Sequence, residues 1–264
     1  MAVAPLPMVQ MQLAFAIGLI GIYVGWRGTI ARMTGFYDLS GAVKTLMFGL
    51  VAGVFAASAI DALLLSNIRS ETVNIVWIGA VALVIAMAES AFALFLLGRP
   101  RTVGLRASAP YGWTLGLGFG SMRAAHLNVR LFDPEVWPGT TGFEAINIAV
   151  ALALTLTACF GHAMITAWQG SRIIEHQRAR TFFTSTLARA ILIITTVLAV
   201  FTPILLIFVA PALVLLWDSS QRNWLPAGMT PAASQAYRRT IRQTAKHERA
   251  AEQRIPGHRV FEEE

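Results

Sequence analysis

Runs of apolar residues long enough to cross a lipid bilayer follow one another along most of the chain, and no other feature narrows the possible folds as much. A bilayer core of roughly 30 Å takes about 20 residues of helix to cross. Reading by hydropathy and by breakers gives spans at about 8 to 26, 42 to 66, 73 to 97, 109 to 126 and 143 to 169, and a longer apolar stretch from about 182 to 217. Only helices and closed barrels satisfy their backbone groups in lipid, and these runs lack the two-residue alternation of barrel strands. An all-α, polytopic transmembrane bundle is therefore expected. Of the 264 residues, 56% are apolar and 13% charged, a balance outside that of soluble domains. The first run carries no preceding Lys or Arg and no small-residue cleavage pattern, so a cleavable signal peptide is not expected.

The last stretch would measure roughly 54 Å as one helix at 1.5 Å per residue, far more than a bilayer needs. Pro203 disfavours helix in Thr202 before it, which suggests a hairpin there, with a single kinked helix as the competing reading. Charge decides between them. The loops after spans one, three and five hold Arg27, Arg32 and Lys44, then Arg99, Arg101 and Arg106, then Arg172, Arg178 and Arg180, whereas the opposite loops hold Arg69 and Arg130. Basic loops face the cytoplasm. The segment after Trp217 is also basic, with Arg222, Arg238, Arg239, Arg242, Lys246, Arg249, Arg254 and Arg259. Placing it inside requires the last stretch to cross twice, which predicts seven spans, an outside N-terminus and an inside C-terminus. Trp26, Trp77, Trp168 and Trp217 fall near the span ends, where indoles favour the headgroup layer. Two regions follow: a seven-helix membrane domain over 1–217 and a cytoplasmic basic tail over 218–264. From about Pro231 to Arg254 the tail has Ala-rich helical character, suited to an anionic leaflet, a soluble partner or plain solvent. The net charge of +7 is thereby assigned to membrane orientation, and nucleic acid is not an expected partner.

Five ionisable side chains fall within spans: Asp61, Glu89, Arg123, His162 and Arg189. Each is expensive there, by roughly 2.5 to 3.5 kcal/mol for a charged group at a helix centre. Counting along the helices puts Glu89, His162 and Arg189 at one depth, within reach of one another, and Asp61 and Arg123 in the outer half as a separate pair. Two readings stand: polar clusters that hold helices in register, or a metal or proton site built on Glu89 and His162. Cys159 lies inside an apolar run and forms no internal disulfide.

Span four carries Gly112, Gly116, Gly120 and Ala124 at four-residue spacing, a small-residue face on which another helix can pack closely. Gly49 and Gly53 repeat the device in span two, and Gly21 and Gly25 in span one. The run from Gly116 to Gly120 lacks the preceding strand and the following Lys-Ser or Lys-Thr of a phosphate loop.

Three short motifs run from span three to the loop after span five. The first is Ala88-Glu89-Ser90-Ala91-Phe92, the second Gly116-Leu117-Gly118-Phe119-Gly120-Ser121-Met122-Arg123, and the third His162 followed eight residues later by Gly170, with Arg172 beyond. In these the chain resembles the PrsW-type intramembrane metalloproteases, a superfamily that also takes in the γ-secretase subunit called anterior-pharynx-defective. The family's first motif, Glu-Glu-x-x-Lys, keeps only its second glutamate here, as Glu89. Its second, Gly-x-x-Phe-x-x-x-Glu, has Arg123 in place of the acid. Its fourth, His-x-x-x-Asp in the next span, has no counterpart in Leu198-Ala199-Val200-Phe201-Thr202-Pro203. A catalytic zinc takes three protein ligands and keeps one position for water. What survives of the set is Glu89 and His162, and a cation at Arg123 repels a metal.

The resemblance thus implies architecture rather than activity. The non-protease branch implies a scaffold of seven spans that retains polar intramembrane residues. The leading expectation is a catalytically silent membrane scaffold, a pseudoenzyme-like subunit that meets other integral membrane proteins through its glycine faces, without cofactor. One alternative is an active zinc metalloprotease that takes its missing ligands from elsewhere, for example Asp61 or His126. The other is a transporter with Glu89, His162 and Arg189 as a proton relay. The Ala-rich, Arg-over-Lys composition suits a bacterial or archaeal plasma membrane.

Overall fold

The computed structural model describes residues 7–65, 74–133 and 143–254, and among these residues it is helical with no strand. The helices are α1 (Met8–Gly25), α2 (Leu39–Ile60), α3 (Ile75–Leu97), the short α4 (Pro100–Gly104), α5 (Ser108–Leu131), α6 (Ala145–Ile174), α7 (Arg178–Phe201), α8 (Leu206–Ser219) and α9 (Pro231–Arg254). Helical winding continues past α1 to Met33 and past α2 to Leu65 in wider or tighter turns. Local chemistry sets the starts. The Asp38 carboxylate accepts the N–H groups of Ser40 (3.1 Å) and Gly41 (3.0 Å) to cap α2, and Asn74 accepts the Trp77 N–H at 3.1 Å to cap α3.

Six segments are long and apolar enough to cross a membrane: Met8–Met33, Leu39–Leu65, Ile75–Leu97, Ala145–Ile174, Arg178–Phe201 and Pro203–Gly228. The chain thus has the make-up of an integral membrane protein. The 24-residue α5 is not among them, since its glycines and polar residues dilute its apolar character. It is nonetheless the centre of the bundle, with every residue from Ser108 to Ala125 buried. It is wrapped by the other helices.

Glycine makes that position possible. A methyl group on Gly116 would run into the backbone of His162 and Ala163 on α6, and one on Gly118 would lie 2.6 Å from the Leu50 N and 2.7 Å from the Gly49 carbonyl carbon on α2. Gly112 and Gly120 meet the α6 backbone in the same way. The glycine faces expected to receive partner helices are therefore filled from within the chain. Neighbouring backbones approach because no side chain separates them.

The hairpin at Pro203 is present. After α7, Thr202 leaves helical geometry (φ −139°, ψ 79°), and Pro203–Leu205 forms one tight turn before α8. The chain then reverses. Leu206 packs in the cluster that holds Leu65, Ile78 and Val200, whereas Trp217 at the far end of α8 lies 5.9 Å from the Trp113 ring. Trp113 donates its Nε1–H to the Gly25 carbonyl at 3.2 Å, and a methyl on Gly228 would meet the Arg106 backbone. One end of the bundle thus gathers the segments around Arg27, Arg32, Arg99, Arg101, Arg106, Arg172, Arg178, Arg180 and Arg222. Beyond Trp217 the winding continues without a break to Gly228, burying Leu225 and Pro226. α9 follows, docked through Tyr237, which is 2% exposed and sits 5.5 Å from the Phe36 ring.

Candidate functional site

Glu89, His162 and Arg189, which depth counting placed together, meet in the interior, from α3, α6 and α7 respectively. His162 Nδ1 lies 3.7 Å and Arg189 Nε 3.9 Å from Glu89 Oε2. All three are buried. The helical face that carries His162 also carries Thr166 and Gln169, four and seven residues on, so these polar side chains project into the same space.

Arg123 is the correction. The expected pair of Asp61 and Arg123 does not form. Arg123 instead donates Nη2–H to Glu89 Oε1 and bonds through Nη1 to His162 Nε2. Its long side chain carries the charge inward from α5, which a count along the helix cannot show. Asp61 pairs with Arg130, Nε to Oδ1 at 2.6 Å and Nη2 to Oδ2 at 2.7 Å, with Asp133 3.6 Å from the same guanidinium. The reason is length: α5 runs to Leu131, five residues beyond the expected end at 126, so Arg130 belongs to its last turn rather than to a loop. His126, a conceivable metal ligand, lies apart from the cluster, its Nδ1 at 2.9 Å from the Met122 carbonyl and its ring 5.6 Å from Phe15.

Arg189 is held by neutral groups. Nη1 donates to Ser90 Oγ (2.7 Å) and to Gln169 Oε1 (2.9 Å), and Nη2 donates to Thr166 Oγ1 (2.8 Å). Gln169 in turn donates Nε2–H to the Ser90 carbonyl at 2.9 Å, and Thr166 donates its hydroxyl to the His162 carbonyl at 2.7 Å. Ser90, Thr166 and Gln169 escape a hydropathy reading, because neutral polar groups raise little signal in it. The one clue was their spacing beside Glu89 and His162.

Two guanidiniums face one carboxylate, so positive charge is in excess whatever state the imidazole takes. The arrangement disfavours a divalent cation on electrostatic grounds, and the Arg123 guanidinium occupies the space between the two surviving ligand types. Among the described residues no three His, Cys, Asp or Glu side chains come together as a metal-binding group. Glu89 Oε2, His162 Nδ1, Arg123 Nε and Arg189 Nε have no hydrogen-bond partner among the described residues.

No protein-family model, curated protein or solved structure matches the chain.

Proposed function

We propose that this chain is a non-catalytic integral membrane scaffold, a subunit that works beside other integral membrane proteins in the plasma membrane of a bacterium or archaeon. The observation that carries the reading is Arg123, which sits between Glu89 and His162 where a hydrolytic metal would need a third ligand. A guanidinium there fastens α3, α5 and α6 and leaves no metal-activated water to attack a peptide bond. On this reading the likeness to the PrsW-type family is one of architecture, and the nearer analogue is its scaffold branch.

The same proposal makes α5 a seventh span and places the arginine-rich end in the cytoplasm. Its support is the sorting of charge: the loops on that end are basic and α9 presents Arg238, Arg239, Arg242 and Lys246 to solvent. Partner contact falls to outward-facing side chains such as Val51 and Phe55 of α2, 60% and 72% exposed, since the glycine faces are filled internally. Purification in a mild detergent is expected to yield a stable hetero-complex whose membrane partner crosslinks from a photoreactive group at Phe55. A clean monomer under those conditions counts against it.

A second reading, a proton relay, draws on one observation: Glu89 Oε2 and His162 Nδ1 lie 3.7 Å apart and neither has a hydrogen-bond partner among the described residues. Proton flux into liposomes that falls in Glu89→Gln would favour it. Flux indifferent to that change would dispose of it.

A further inference from the structure

Two cavities meet at the hairpin between α6 and α7. The larger, about 790 Å³, is a groove walled by Gly161 and Met164 of α6, Ala188 and Ile191 of α7, and Phe208 and Ala212 of α8. The smaller, about 200 Å³, lies between Arg172 near the end of α6 and Arg180 in the first turn of α7, with Gln177 and Thr181 beside them. Trp168 and Thr184 line both. An apolar groove thus lies next to a small pocket flanked by two arginines, with an indole between them.

That combination matches an amphiphile. The groove is reached from the side where lipid would lie, because Phe208 and Ile191 on its rim are 72% and 55% exposed. Along α7 its lining runs from Thr184 to Thr195, about 16 Å at helical rise, close to the roughly 15 Å depth of one leaflet's hydrocarbon. Trp168 sits where a Trp favours the boundary between chains and headgroups. Arg172 already holds Glu175 through Nη1 at 2.6 Å, but a guanidinium has five N–H donors, and Arg180 adds a second fork. An apolar transmembrane helix from a partner would fill the groove but leave Arg180, which has no acidic partner among the described residues, without a counter-charge, so the charge favours a lipid.

We propose that the two cavities together form a binding site for one anionic phospholipid. Its phosphate is bound by Arg172 and Arg180, and one acyl chain lies in the groove between α6, α7 and α8. This site is separate from the basic surface of α9.

The test uses the full chain, delipidated in detergent and then offered phosphatidylglycerol, phosphatidylcholine or inorganic phosphate, with bound molecules counted by native mass spectrometry. One phosphatidylglycerol should be retained in preference to phosphatidylcholine by roughly tenfold, as expected for a net negative headgroup beside two arginines when the choline of the other lipid cancels its phosphate charge, and inorganic phosphate should not be retained. Arg172→Ala with Arg180→Ala should erase the preference, weakening phosphatidylglycerol more than phosphatidylcholine. Ala212→Trp should weaken both lipids, with unfolding midpoints confirming that each variant is folded. Arg238→Ala with Arg242→Ala on α9 should change nothing. Equal retention of the two lipids, retention of phosphate alone, loss of preference only in the α9 variant, or a polypeptide crosslinked from Ile191 in place of lipid would each overturn the proposal.

Discussion

The Arg123 guanidinium on α5 donates to the Glu89 carboxylate on α3, with both side chains out of reach of solvent. Removing one partner of a buried ion pair leaves the other desolvated and uncompensated, which costs about 3–5 kcal/mol. Glu89→Ala is expected to lose about that much stability in detergent unfolding. Glu89→Met combined with Arg123→Met should recover part of it, because the Arg123 charge is no longer stranded, while Arg189 keeps a buried charge facing only neutral groups. A double variant as unstable as the single one would refute the account.

Close approach of α5 and α6 gives a second expectation. A Cβ on Gly116 meets backbone, which cannot rotate aside, so Gly116→Ala should destabilise by roughly 1–3 kcal/mol, the range for overpacking. Gly79 on α3 faces open space, so Gly79→Ala should be neutral or stabilising by up to about 1 kcal/mol through helix propensity. Comparing the two unfolding midpoints separates crowding from a general intolerance of alanine.

The Asp61 and Arg130 pair differs from the interior one because both side chains are about a third exposed (31% and 32%). Solvent screens such pairs, so Arg130→Gln should cost no more than about 1 kcal/mol, and the loss should shrink in high salt. A larger, salt-independent loss would mean that Arg130 carries weight the pair does not explain.

The fold was legible where hydropathy and charge speak for themselves. Pro203 and the basic residues beyond Trp217 together required the reversal that joins α7 to α8. The C-terminal end of α5 was not legible, because Arg123, His126, Asn128 and Arg130 read as a departure from the membrane, while the helix in fact continues with its polar groups turned onto other helices. Depth counting brought Glu89, His162 and Arg189 together correctly, since each lies on a helix facing the same interior point. It misplaced Arg123 because it follows the backbone, whereas an arginine delivers its charge several bonds away. The glycines announced close packing but not the partner, and the partners turned out to be α2 and α6 of the same chain.

Asp38 offers a pH-dependent test. The Tyr111 hydroxyl, donating to its Oδ2 at 3.1 Å, is the main cause that holds the Asp38 carboxyl below its ordinary value, with smaller help from the Gly41 and Ser40 N–H groups. A carboxyl depressed in the folded state contributes stability that is present above its unfolded value, near pH 4, and is lost as pH falls through the lower folded value. Tyr111→Phe should reduce that contribution, so the stability of wild type and variant should converge under acid. A difference that persists below pH 2 would have another origin.

Docking of α9 rests on Tyr237, which is packed against Phe36. Tyr237→Ala is expected to release the helix, so that its backbone unwinds and trypsin cuts beside its arginines well before the rest of the chain, while Arg239→Ala should leave the cleavage lag at wild-type length. Equal lag times in Tyr237→Ala and wild type would show that α9 is held elsewhere.

The burial of α5 on every side has a consequence for how the protein is made. A segment that carries Arg123 and a glycine-lined backbone gains little by leaving the translocon alone for lipid. As the seventh span proposed above, it would be stabilised by α2, synthesised before it, and by α6, synthesised after it. On the proposed seven-span reading the nascent chain is expected to retain α5 at the protein-conducting channel until α6 emerges, so that biogenesis becomes a cooperative step across three helices rather than a sequence of independent insertions.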